Sequence, residues 1–240
     1  VKLDREEKNL VSLRSKFVKE IEAQILSGTL APGKFLPPER ELAEKYGVSR
    51  YLVAAGILEL KAKGFVKVVP KRGSVVFDYK KEATAGVLAA IMNYNAGKLD
   101  LKLLRNIVDM RLILETECAR LAAVNRSEED LGEIKDILTE MCEADGAGQI
   151  ADFNYALHYK IAAASGNDVF AMVFKSFEPV SKNLITAYFN SGRYREKSIE
   201  MHYNLIMAIE AQDPESAVKF MKEIILQGKR VLEKVAAGTN

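Results

Sequence analysis

Between Glu7 and Leu26 apolar side chains recur three to four positions apart, at Leu10, Leu13, Phe17, Ile21 and Ile25, which predicts a long amphipathic helix with one buried stripe. The pattern then shortens. Pro37-Pro38 ends one segment and presets φ for the next, so Glu39, Arg40 and Glu41 open a short helix that ends near Tyr46, and Gly47 supplies the left-handed residue of a tight turn. Ser49 is placed to cap a further helix reaching Lys61, with Leu52, Val53, Ile57, Leu58 and Leu60 as its core-facing stripe. Gly64 ends it. The period now changes from helix to strand: Phe65 to Val69 runs out, Pro70 to Gly73 turns, and Ser74 to Phe77 returns. The tip of this hairpin is basic, at Lys71 and Arg72.

Tyr79 to Ala83 is short, charged and without apolar period, which places a linker at 79–83 between units 1–78 and 84–240. From Thr84 onward every segment is helix-patterned. One helix is expected at about 84–95 and a longer one at about 100–124, with Leu104, Ile107, Val108, Leu112, Leu114 and Leu121 on its face. Ser127, followed three residues later by Asp130, resembles a capping box and opens a helix to about 144. The next covers about Ala147 to Ala164 and stops at Ser165-Gly166-Asn167. A fifth starts at Asp168 and is expected to kink at Pro179, a sixth spans about 194–211, and Asp213-Pro214 starts the last, which runs to about Val235. The fold class is therefore mainly α: an N-terminal winged helix-turn-helix of three helices plus a two-stranded wing, then an all-α antiparallel bundle of about seven helices. Such bundles commonly build ligand pockets between their helices.

The net charge of +2 over 240 residues says little until it is divided along the chain. Residues 1–80 carry 16 Lys and Arg against 10 Asp and Glu, net +6, and the remainder carries 19 against 23, net −4. A basic first third suits a nucleic-acid-binding module joined to a module with another task. No apolar stretch approaches the roughly 20 residues that span a bilayer, and the first residues are not signal-like, so a cytoplasmic protein without membrane contact is expected. Cys118 and Cys142 lie inside helical patterns without metal-type spacing and are expected to be buried free thiols. The chain holds no Gly-rich phosphate loop, nucleophile elbow or zinc-ribbon spacing, so it is not expected to be an enzyme.

The run from Ile25 to Val76, with its pieces QILSGTLAPG, LPPEREL, GVSR, KGFV and KRGSVV, resembles the DNA-binding domain of the GntR family of bacterial transcription regulators. The resemblance implies that Arg40, Ser49, Arg50, Arg72 and Gly73 approach double-stranded DNA, and the neighbouring Tyr51 and Lys71 face the same side. This chain departs from the family at one place. Where the recognition helix usually carries an arginine and a glutamate, Ala54 and Ala55 stand. An arginine there can hold a guanine bidentately, a contact commonly worth about 1–3 kcal/mol of base discrimination.

The second half is similar to the effector domain of the FadR-type branch of that family, an FCD-like domain, in DMRLILETECARLAA (Asp109 to Ala123), HYKIAAASGN (His158 to Asn167) and EMHYNLIMAIEAQDPESA (Glu200 to Ala217). That branch often binds a divalent transition metal, the one cofactor the resemblance raises. The matching positions are Asn154, His158, His202 and Ile224, so two imidazoles remain, a neutral amide replaces an acid and an isoleucine replaces a histidine. The favoured reading makes Asn154, His158 and His202 pocket residues that hydrogen-bond an effector or each other. Arg111 matches an arginine that often faces the effector, where it would clamp a carboxylate; the alternative is an ion pair with Glu115 one turn on. Tyr155, Tyr159, Asn183 and Tyr188 are further candidates for the cavity wall. Together these features imply a homodimeric repressor that binds a pseudo-palindromic operator and senses a small-molecule effector. Two alternatives stay open: a fold-retaining member with weak or non-specific DNA binding and an acyl or metal-bound ligand, and, more remotely, a helical-domain enzyme.

Overall fold

A computed structural model describes residues 5–78, 84–94, 101–192 and 194–237, without the side chains of residues 5–11, 85, 89 and 92–94. The expected linker, 79–83, lies outside the described residues, as does the Leu10 side chain. Contacts divide the chain into two compact units, Val1–Gly97 and Lys98–Asn240.

The first unit begins with α1 (Arg5–Leu26), followed by α2 (Glu39–Tyr46) and α3 (Arg50–Lys63). Gly47 closes α2 in the left-handed conformation at φ 62°, and Gly64 closes α3 in the same way at φ 90°. Between them the Ser49 hydroxyl accepts from the Leu52 N–H at 3.2 Å, satisfying one donor that the start of α3 would leave unpaired. Strand β1 (Val66–Val69) pairs antiparallel with β2 (Gly73–Val76), with Val66 opposite Val76 and Val69 opposite Gly73. The wing has a further edge that the sequence pattern hid. Phe35 bridges to Val75, and the backbone of residues 33–36 bonds along β2 at 2.7–2.8 Å. Only Lys34, Phe35 and Leu36 separate Gly33 from Pro37, too short a run to show a period.

One core joins these elements: Phe17, Ile21 and Ile25 of α1, Leu42 of α2, Leu52, Val53, Ile57 and Leu60 of α3, and Phe65 and Val76 of the hairpin. Two expected stripe residues lie elsewhere. Leu58 is exposed on the solvent face of α3, and Leu13 stands at the edge of the core. A fourth helix, α4 (Ala85–Tyr94), contributes Val87 and Ala90 to the same core. The sequence pattern had assigned it to the other unit. The Thr84 hydroxyl fixes its start by donating to the Lys63 carbonyl at 2.5 Å.

The second unit contains α5 (Leu101–Asn125), α6 (Glu128–Glu143), α7 (Gly146–Ala164), α8 (Asp168–Ser176), α9 (Glu178–Asn190), α10 (Arg195–Glu210) and α11 (Pro214–Ala236). Helices α5 and α11 pack along each other, α7 packs on α5, α6 and α9, and α10 covers α11 and α6. The capping box at Ser127 and Asp130 is formed in both directions, and Asp213 caps α11 with Pro214 in its first turn. The single kinked helix expected from Asp168 is instead two. Phe177 ends α8 and opens α9, which puts Pro179 in the first turn of a new helix, where its missing N–H costs nothing. Residues 84–237 therefore hold eight described helices instead of about seven, and the second unit holds seven of them. Cys118 is buried as expected, with its thiol pushed up to about 12 by burial, whereas Cys142 is exposed near the end of α6.

Candidate functional site

Two groups of side chains stand out, one on the surface of the first unit and one inside the second. On the surface, Arg50 and Tyr51 open α3 and point to solvent, Tyr51 at 84% exposure. Ser49 sits beside them, its oxygen engaged in capping. Arg40 on α2 is exposed and pairs with Glu44 at 3.4 Å, not with the adjacent Glu39 or Glu41, because four residues bring side chains onto one helix face. At the hairpin tip the Arg72 N–H bonds to the Val69 carbonyl at 3.0 Å. Lys71 adopts a left-handed φ of 61° and Gly73 one of 105°, the latter a conformation that only glycine adopts freely. Lys71 and Arg72 are both exposed, and the Arg72 guanidinium lies 5.2 Å from the centre of the Phe35 ring. The Phe35 ring therefore props up one of the two basic groups of the tip.

Inside the second unit, Arg111, Glu115, His158, Asn154 and His202 form one hydrogen-bonded chain across α5, α7 and α10. Arg111 Nε pairs with Glu115 Oε1, and its Nη2 donates to Glu115 Oε2 at 3.3 Å. His158 Nδ1–H donates to Glu115 Oε2 at 2.5 Å. His158 Nε2 and His202 Nε2 are 3.0 Å apart, and the Asn154 amide lies 3.3 Å from His202 Nε2. On its far side, His202 Nδ1–H donates to the Ser198 carbonyl at 2.6 Å. That bond fixes the tautomer. His202 Nε2 is then an acceptor, with the Asn154 amide as its donor.

Glu115, His158 and His202 are almost wholly buried. Burial alone would raise the Glu115 carboxyl, but the Arg111 guanidinium and the His158 ring beside it hold it at about 2. Burial, then the neighbouring His158, pushes His202 down to about 3. The pair Arg111–Glu115, the alternative reading of Arg111, is therefore present, and Arg111 also lines the cavity.

That cavity has a volume of about 50 Å³. Arg111, Asn154, His158, Ser198, His202 and Gln227 form its polar wall, and Leu184, Ile185, Phe189, Ile224 and Leu232 are among its apolar residues. Tyr188 lines it as expected. Tyr155, Tyr159 and Asn183 do not: Tyr155 stacks between Tyr159 and Phe174, at 6.4 and 5.4 Å, and Tyr159 faces a separate groove beside α8. Sequence reasoning missed Glu115 as the partner of His158. Its signal was present, because Leu104, Val108, Arg111, Glu115, Cys118 and Ala122 recur at alternating steps of four and three, which puts the carboxylate on the buried stripe.

The donors do not fit a firmly held transition metal. Each histidine has its Nδ1 anchored, as ligand histidines do, but the converging donors are two imidazoles and one neutral amide, and Ile224 brings only hydrocarbon to the wall. Glu115 lies behind His158, on the Nδ1 side, and cannot complete the set. Among the described residues no three His, Cys, Asp or Glu side chains are grouped to hold a metal ion.

A basic winged head and, in the same chain, a helical unit enclosing a polar-walled cavity define the class: a two-module protein with a DNA-binding type of head. Residues 13–76 match the family described as bacterial regulatory proteins, gntR family, and residues 106–227 match the FCD domain. The chain belongs to the gntR family of bacterial regulatory proteins, in the group whose second half is an FCD domain. It is 37% identical over 148 residues to the HTH-type transcriptional regulator LutR of Bacillus subtilis, a match that covers 60% of this chain and 64% of LutR. It is 26% identical over 225 residues to the Glc operon transcriptional activator of Escherichia coli, covering 90% and 87% of the two chains. A solved structure of Lar, described as controlling expression of the Listeria monocytogenes agr system, shares the fold with a TM-score of 0.67 at 18% identity, over 92% of this chain and 97% of that one. No described helix is long and apolar enough to cross a membrane.

Proposed function

We propose that this protein is a cytoplasmic, homodimeric repressor that binds a pseudo-palindromic operator and releases it when a small carboxylate-bearing metabolite enters the helical unit. The observation that carries this reading is the presence in one chain of an exposed Arg50 at the start of a capped recognition helix and a cavity with one polar and one apolar wall. In a dimer, two copies of α3 enter successive major-groove half-sites, while Arg40, Lys71 and Arg72 hold the backbone or the minor groove. In the pocket Arg111 and Asn154 carry the N–H groups that donate to a carboxylate, His158 and His202 complete the polar wall, and the apolar residues take its short chain. A cavity of about 50 Å³ leaves room for only a few heavy atoms, which limits the effector to a small molecule. The effector acts only through unequal affinity for the DNA-bound and free states.

Selection of duplexes from a random pool by the purified protein tests this reading, with Arg50→Ala as comparison. A palindromic site should be enriched by the natural sequence and lost by the variant, and small monocarboxylates titrated against that duplex should weaken the complex. Repression is read from a reporter carrying the same site, since one relative is named as an activator. Equal retention of all sequences with a steep salt dependence would instead favour the non-specific reading.

A further inference from the structure

The solvent face of α3 has an unusual composition for a helix that reads bases. At 100° per residue, Tyr51, Ala54, Ala55, Leu58 and Ala62 fall within an arc of about 100°, opposite the buried Val53, Gly56 and Leu60. Tyr51 is 84% and Leu58 60% exposed, and no charged side chain lies within the arc. The charges flank it. Arg50 and Lys61 border one side, Glu59 and Lys63 the other, and this second pair is engaged: Glu59 pairs with Lys63 at 3.0 Å and with Arg14 at 3.4 Å, and Lys63 with Glu22 at 2.9 Å. The face is thus an uncharged, largely hydrocarbon strip with a basic border of Arg50 and Lys61 on one side and an ion-paired one on the other, on a head with net charge +6.

We propose, building on the DNA-binding reading, that this strip reads thymine methyl groups, with Ala54, Ala55 and Leu58 as the specificity-determining side chains. In the major groove guanine offers two acceptors and cytosine a donor, and covering them with alanine or leucine strips their water without replacing its hydrogen bonds. Thymine alone projects a methyl there, the one feature of a base edge that hydrocarbon complements. The alanine methyls keep the helix close to the floor of the groove, and the Leu58 side chain reaches the next base step. The Arg50 and Lys61 border, on a head of net charge +6, suits a polyanionic duplex rather than a second copy of the same basic head. The operator half-site therefore carries A·T pairs, with thymines facing α3, at the positions where a guanine contact would be made by an arginine at residue 54.

The test uses the full chain and the duplex enriched from the random pool, remade with uracil in place of one thymine at a time. Uracil keeps every hydrogen-bonding group and loses only the methyl. At two or more thymines of each half-site this replacement should weaken binding about fourfold, the factor expected for one methyl-sized group withdrawn from an apolar contact. Leu58→Ala, at an exposed position that leaves the head core intact, should remove the thymine-over-uracil preference at one position and retain it at the others. An enriched site that shows no loss at any uracil, or that carries guanines opposite the strip, overturns the methyl reading while leaving a sequence-specific regulator. If no site is enriched and the head instead retains a second copy of this chain, both this inference and the DNA-reading function fall.

Discussion

At the scale of single residues, the buried chain from Arg111 to His202 makes the helical unit sensitive to acid. His202 is neutral in the fold, and burial holds its ring near 3, against 6.5 for an exposed imidazole. Between those values the unfolded chain binds a proton that the folded chain refuses, so stability drains away as pH falls from about 6.5 towards 3. Glu115 adds a second loss with the same sign. Its folded carboxyl sits near 2, so its contribution is complete above the ordinary value of 4.5 and is lost below it. Both histidines of the chain lie in the second unit, so the first loss belongs to that unit alone. Urea unfolding at pH 7 and pH 5 should show a fall in stability that His202→Gln largely abolishes, since an amide carries no titrating proton. A wild-type stability flat across that interval would sink the account. The two histidines and Arg111 were legible from sequence as candidates. Their mutual hydrogen bonds were not, because α5, α7 and α10 meet only through tertiary packing.

At the scale of elements, local chemistry was legible wherever a cap or a turn fixes it. Gly47, Ser49, Gly64, Ser127 and Asp213 all mark boundaries at or next to the expected places. Pro179 was read less well: proline signals either a kink or a first turn, and the choice depends on whether Phe177 can end the preceding helix. Packing between elements is where glycines diverge. A Cβ at Gly56 of α3 would stand 2.5 and 2.7 Å from two atoms of the Phe17 ring, which is itself buried between α1 and α3. Gly56→Ala gains about 1 kcal/mol of helix propensity and meets about 1–3 kcal/mol of overpacking, so a net loss of about 1 kcal/mol is expected. Gly132 in α6 has nothing within 4 Å of the same atom, and Gly132→Ala should stabilise by about 0.5–1 kcal/mol. Urea denaturation midpoints of the two variants should move in opposite directions. A Gly56→Ala protein as stable as Gly132→Ala would mean that α1 and α3 are not in such close contact.

At the scale of the whole molecule, the sequence showed two units and put their division too early. The run 79–83 has no apolar period, so it reads as a linker, and α4 after it is apolar on every side, so no stripe says which unit it joins. Only packing decides that. Val87 is fully buried and Ala90 nearly so within the core of the winged head, and Thr84 both donates to the Lys63 carbonyl and accepts the Val87 N–H at 3.4 Å. Gly86 lies against the end of α3, where a Cβ would be 3.3 Å from the Lys63 backbone. A fragment of residues 1–97 should therefore exceed one of residues 1–83 in stability by about 2–3 kcal/mol, roughly the burial of one valine together with its smaller neighbour. Thermal unfolding of the two fragments, followed by far-ultraviolet circular dichroism, measures the difference. Coincident transitions would return α4 to the helical unit and the boundary to 79–83. A higher midpoint for the longer fragment would mean that the winged head keeps α4 as part of its own core, independently of the helical unit.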